Sequence, residues 1–161
     1  MTEQDYNNCI KQYSDGLFRF LTKISGDIAK AKDLTQDVFL KLWEHKTEIE
    51  VSKTKAWLFK TAHNRYIDTE RHNKYMVRGN DSNMQCQKIE NGYTDIKSVL
   101  INALLLLPKV QRSAVLLRDY EGYSYEEIGK ILSLSEQQVK VYIFRARTSL
   151  KQIIGKIENV I

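Results

Sequence analysis

Apolar residues recur every three or four positions along most of this chain, the spacing of helices that each bury one face. The first such stretch covers roughly residues 4–24, where Tyr13, Leu17, Phe18, Phe20 and Leu21 supply the apolar groups, and Ser25, Gly26 and Asp27 break it. A second runs over about 28–45, with Ala31, Leu34, Val38 and Leu42 in one stripe, and a third over about 54–74, with Leu58, Phe59, Ala62 and Tyr66. A polar connector, 46–53, separates these two. Over 76–94 the rhythm stops; Asn, Gln, Ser, Asp and Gly dominate, which predicts a flexible linker. It resumes near Asp95 with Ile96, Val99, Leu100, Ala103, Leu104 and Leu107. Pro108 ends that helix and can sit in the first turn of the next, where its missing N–H costs nothing. This next helix is expected to reach about Tyr120, before Glu121 and Gly122 turn the chain.

Two further helices are marked by their starts. Ser124 precedes Glu127 by three residues, and Ser135 precedes Gln138 by three. Both fit the capping box, in which hydroxyl and returning side chain satisfy exposed N–H groups, each cap being worth about 1 kcal/mol. Leu132, Ser133 and Leu134 leave room only for a tight turn, so the pair must cross at an angle. Gly129 inside the first helix costs about 1 kcal/mol relative to Ala, which predicts close approach of the second. With one proline, seven glycines and no runs of alternating β-branched residues, the expected fold is all-α. It comprises two small helical domains, 1–75 and 95–161, joined by the linker 76–94.

Three helix faces carry chemistry. On the last helix Val139, Ile143, Ala146 and Leu150 form the core stripe, while Gln137, Lys140, Val141, Phe144, Arg145, Thr148 and Lys151 face the other way. A helix pair of this kind places one helix in a DNA major groove while the other braces it. Gln, Lys and Arg offer donors to base edges and phosphates, and an apolar group can touch a thymine methyl. The bland alternative for Phe144 is packing against the preceding helix. On the third helix Trp57, Lys60, Asn64, Asp68 and Arg71 align opposite the core stripe, a stacking surface beside cations that suits unstacked single-stranded bases. The alternative is that Trp57 closes the core. On the second helix Asp33, Asp37, Leu40 and Glu44 line up with Gln36 at the edge and Phe39 and Trp43 flanking. A row of carboxylates repels DNA and suits a protein contact, or is a solvated face.

Charge sharpens this division. The net charge is +5, but it is uneven. Residues 137–157 carry five basic groups and no acid, residues 53–78 seven basic groups and two acids, and residues 27–50 six acids against four lysines. Two basic zones point to polyanion contact in two places and the acidic zone to a different partner. Cys9 and Cys86 lack metal-ligand spacing and are expected as reduced thiols in a cytoplasmic protein. No apolar run approaches the roughly 20 residues needed to span a bilayer, and the polar N-terminal residues are unlike a signal peptide. His45, His63 and His72 are scattered, and no glycine-rich phosphate loop, nucleophile elbow or paired-carboxylate constellation is present. An enzyme is not expected, nor a cofactor or metal. A self-sufficient repressor or activator remains the competing class, but it would leave the acidic and stacking helices without a task.

Together these residues resemble bacterial RNA polymerase sigma factors of the extracytoplasmic-function group. The stretch from Asp33 to Trp43, DLTQDVFLKLW, is similar to the polymerase-binding helix of region 2.2. AWLFKTAHNRYID, from Ala56, resembles regions 2.3 and 2.4, and LPKVQRSAVLLR, from Leu107, with EGYSYEEIG, from Glu121, resembles region 4.1 and the start of 4.2. VKVYIFRAR, from Val139, is similar to the end of 4.2. The resemblance implies docking on core RNA polymerase, at the largest-subunit clamp and the beta flap, through Asp33, Gln36, Asp37, Phe39, Leu40 and Trp43. It implies reading of a minus-ten element by Lys53, Trp57, Lys60, Asn64, Asp68 and Arg71, with the connector 46–53 able to pocket a flipped base. Reading of a minus-thirty-five element falls to Ser135, Gln137, Lys140, Val141, Phe144, Arg145 and Lys151. The chain departs from many members at Val141 and Tyr142, where they carry a small polar residue and an arginine. An anti-sigma protein is a further partner class that the resemblance brings in.

Overall fold

The computed structural model describes residues 1–76 and 96–160, with side chains over 1–73 and 98–156. Among the described residues it is all-α, with seven helices and no strand. The linker expected at 76–94 lies, beyond Met76, outside the described residues.

Helix α1 (Glu3–Ser25) starts at a capping box formed by Thr2 and Asp5 and stops at Gly26, whose φ of 69° turns the chain left-handed. Asp27 then caps α2 (Ile28–Glu44) by accepting a bond from the Lys30 amide. A 3-10 turn (Val51–Lys53) leads into α3 (Thr54–Met76). The three helices bury Leu17, Phe20, Leu21, Ala31, Leu34, Val38, Leu42, Leu58, Phe59, Ala62 and Tyr66 from the expected stripes, with Ile24 in addition, while Tyr13 and Phe18 are only half-buried.

The second group comprises α4 (Ile96–Leu105), α5 (Lys109–Val115), α6 (Tyr125–Leu132) and α7 (Glu136–Val160). Pro108 sits at the N-cap of α5. The helix expected to continue to Tyr120 instead widens at Leu116–Tyr120 into a π turn. Glu121 N donates to Leu116 O and Tyr123 N to Leu117 O. Six successive residues, 112–117, are buried leading into it, so that stretch is surrounded on all sides rather than amphipathic. Both capping boxes of the last helix pair are present: Ser124 with Glu127 and Ser135 with Gln138. Gly129 is tight, but against the turn rather than the body of the next helix: a Cβ there would lie 2.7 Å from the Leu134 carbonyl oxygen.

The two groups of helices share one hydrophobic core. Phe59 of α3 meets the Tyr123 ring edge-on at 5.0 Å, and Leu105 packs directly over Gly26, where any Cβ would come within 2.8 Å of it.

Candidate polymerase and nucleic-acid interfaces

On α2 the core stripe fixes what the opposite side must present. Ala31, Leu34, Val38 and Leu42 are buried, and Asp33, Gln36, Leu40, Trp43 and Glu44 face solvent. Leu40 is 56% exposed between carboxylates, so its apolar surface is unspent within the chain. Trp43 is partly shielded: Tyr6 meets its ring edge-on at 5.0 Å and the Lys46 ammonium lies 3.3 Å over it. Asp37 is half-buried and pairs with Arg65 of α3 at 3.4 Å. Phe39 departs from the sequence expectation. It is only 8% exposed, because the α1–α2 packing turns it inward, and its carbonyl accepts the Tyr6 hydroxyl. Phe39 therefore seats the acidic helix and offers little to a partner.

On α3, Lys60, Asn64, Asp68 and Arg71 are exposed along one side, as the 100° rotation requires. Trp57 does both of the things the sequence allows. It packs against the core, and its ring lines an open cleft of ≈ 360 Å³ with Lys41, His45, Glu48, Ile49 and Thr61. Lys53, at the cleft's connector, is exposed and its ion pair with Glu50 is a loose 3.7 Å.

On α7, Val139, Ile143 and Ala146 are buried, and Gln137, Lys140, Val141, Phe144, Arg145, Thr148 and Lys151 are exposed. Phe144 is 72% exposed, which removes packing against the preceding helix as its explanation. Ser135 is the helix N-cap, its hydroxyl accepting the Gln138 amide. Lys140 reaches Glu136 at 3.8 Å and lies 5.5 Å over the Tyr125 ring, which steadies it beside the exposed apolar pair.

The order of these surfaces along the chain is matched by known families. Residues 9–75 match the family model for sigma-70 region 2, and residues 97–150 match that for sigma-70 region 4. The ECF RNA polymerase sigma factor SigM of Bacillus subtilis is 31% identical over 152 residues, covering 91% of this chain and 93% of SigM. The chain belongs to the extracytoplasmic-function sigma factors. A second B. subtilis relative, the RNA polymerase sigma factor YlaC, is 31% identical over 91% of this chain and 90% of its own. Among solved structures, the sigma factor RpoE of Bartonella quintana, in complex with the anti-sigma factor NepR, superposes with a TM-score of 0.81 at 27% identity, covering 94% of this chain and 98% of that one. CnrH, in complex with the cytosolic domain of CnrY, shares the fold with a TM-score of 0.72 at 18% identity.

This sigma factor is a transcription initiation factor: it binds core RNA polymerase and directs initiation at promoters through minus-ten and minus-thirty-five elements. Among the described residues no helix is long and apolar enough to cross a membrane, and no group of metal-ligating side chains is assembled.

What the sequence reading missed lies between the two groups of helices. Arg112 of α5 is 6% exposed, and its guanidinium donates to five oxygens: those of Leu104, Leu105, Leu107 and Ile24, and the Tyr66 hydroxyl. Beside it Ser113 Oγ and His63 Nδ1 share a buried 2.9 Å hydrogen bond. Burial lowers the His63 pKa to about 4, which keeps the ring neutral. An arginine inside an apolar repeat was the available signal, since Arg is almost never buried unless fully partnered.

Proposed function

We propose that three surfaces divide the work of initiation among them. The exposed side of α2, with Asp33, Gln36, Asp37, Leu40 and Trp43, docks on core polymerase. Carboxylates around one exposed leucine suit a basic, partly apolar protein groove and repel DNA. Lys53, Trp57, Lys60, Asn64, Asp68 and Arg71 engage the minus-ten element as it opens, and the cleft beside Trp57 receives an unstacked base. Extruding a base costs a few kcal/mol, and stacking on an aromatic ring returns roughly 1–3 kcal/mol. Ser135, Gln137, Lys140, Val141, Phe144, Arg145 and Lys151 read the minus-thirty-five element in the major groove, the basic groups holding phosphates and the apolar pair meeting thymine methyls. The working modules are residues 1–75 and 95–161. No bond-making step is assigned to the chain; that chemistry belongs to the polymerase core.

The observation that carries this reading is the exposure of all three faces on separate helices, acidic on α2 and with basic groups on α3 and α7. The protein acts in the cytoplasm, beside the polymerase. By analogy with the NepR complex of its B. quintana relative, an anti-sigma protein is its expected antagonist.

Charge reversal tests the assignment of α2. An Asp33→Lys/Asp37→Lys variant should keep its helical content and lose core binding by at least about tenfold, since buried interface charges are worth 2–5 kcal/mol. Unchanged co-sedimentation with core polymerase would remove α2 from the docking surface.

A further inference from the structure

The outward face of α7 mixes hydrogen-bonding and apolar groups in an order that limits what each can read. Ser135 caps the helix, and Gln138 turns back to accept the Ser135 amide, so that side chain is committed to the cap. Lys140 is held by Glu136 and the Tyr125 ring, and Arg147 spends two hydrogen bonds on Asp119 of the π turn. Val141 and Tyr142, where the sequence departs from the family pattern, go opposite ways. Tyr142 is half-buried and packs against the core, whereas Val141 is 42% exposed. Val141 lies in the second turn of α7, with Lys140 on one side and the exposed Phe144 and Arg145 on the other. Residues three apart on a helix are surface neighbours, so Val141 and Phe144 form one apolar spot between two cations.

We propose that Val141 is a specificity-determining residue of the minus-thirty-five surface, and that the group it reads is the 5-methyl of a thymine. The inference rests on the minus-thirty-five reading above and narrows it to one side chain and one methyl. The first turns of a recognition helix meet base edges, and Val141 sits there. An isopropyl group neither donates nor accepts a hydrogen bond, so it is blind to the donor and acceptor pattern of the groove. The apolar feature that the bases present in the major groove is the thymine methyl. Any other base in that place sets Val141 against polar edges, which it takes out of water without replacing their hydrogen bonds. Val141 is therefore a filter as well as a contact. Lys140 and Arg145 on either side supply phosphate contacts that fix the register without reading sequence. On DNA the Phe144 ring beside Val141 closes the same methyl off from water.

The test uses holoenzyme made from the full chain and core polymerase, on a promoter taken from a protein-dependent start. Each thymine of the minus-thirty-five block is replaced in turn by deoxyuridine, which removes the methyl and keeps every hydrogen-bonding group. At one position binding should weaken about fourfold, the factor to which burial of one methyl-sized group corresponds. Val141→Ser should keep the helical content and unfolding midpoint, because the side chain it replaces is exposed. It should bind the thymine promoter about fourfold less tightly and no longer distinguish uracil at that position. Val141→Ile, still branched and apolar, should keep the distinction. Cytosine in the same place should bind weakly, and 5-methylcytosine should recover part of the loss. Equal binding of every uracil-substituted promoter overturns the methyl assignment and leaves the sigma-factor reading intact. So does a folded Val141→Ser protein that still separates thymine from uracil by the same factor, which would give the methyl to Phe144. No protein-dependent start on any promoter overturns the sigma-factor reading, and this assignment with it.

Discussion

Phe144 and Val141 leave apolar surface in water on a face whose other members are Gln137, Lys140, Arg145 and Thr148. The chain gains nothing in stability from that exposure; on the proposed reading its value is realised on DNA. Phe144→Ala should leave thermal unfolding nearly unchanged, as surface substitutions do within about 0.5 kcal/mol. It should weaken holoenzyme binding to the minus-thirty-five element by about 1–3 kcal/mol, which competition between specific and scrambled duplexes would measure. His63 makes the opposite kind of statement. It is buried and neutral beside Ser113, with the Arg112 guanidinium at the next position along α5 and Tyr66 one turn along α3. Its pKa is depressed to about 4, so neutral His63 stabilises the closed fold fully above its ordinary value near 6.5. That contribution, on the order of 3 kcal/mol at most, is lost as pH falls from about 6.5 towards 4. A His63→Gln protein should show a flatter stability profile across that window in urea titrations; an unchanged slope would mean that His63 is not what titrates. The sequence disclosed the exposed pair but not Phe39. Residues flanking a stripe divide between core and surface according to the angle at which a neighbouring helix crosses, and α1 took Phe39 inward.

At the scale of elements, what was legible was local. Ser124 with Glu127 and Ser135 with Gln138 specify helix starts through bonds three residues long, and both form. The stop at Gly26 needs only a left-handed residue. The π turn at Leu116–Tyr120 could not be read, because nothing local demands it; it allows Leu116 and Leu117 both to be buried in a segment enclosed by its neighbours. Gly129 shows the limit of propensity arguments. In an isolated helix Ala would be better by about 1 kcal/mol. Here a Cβ would sit 2.7 Å from a backbone oxygen that cannot swing away, and overpacking of that kind costs about 1–3 kcal/mol. Gly129→Ala should therefore lower the unfolding midpoint and disturb the angle between α6 and α7, seen as lost amide dispersion in the turn. A gain in stability would refute the close approach.

For the whole molecule, the periodicity and charge zones predicted two helical units and three candidate faces. The association between the units was not legible. Arg112 stood out only by its place in an apolar repeat, His63 and Ser113 carried no signal, and only the folded chain brings the three together. On the proposed reading the molecule has an acidic side for a protein and two faces with basic groups for one promoter, and its halves share a core that also holds the Arg112 and Ser113–His63 hydrogen bonds. The most direct measurement is run-off transcription by core RNA polymerase on a library of genomic fragments, with and without this protein, followed by sequencing of the start sites. The account predicts protein-dependent starts that share two sequence blocks, centred about 10 and about 35 base pairs upstream. Starts that appear equally without the protein, or that share no such pair of blocks, would contradict it.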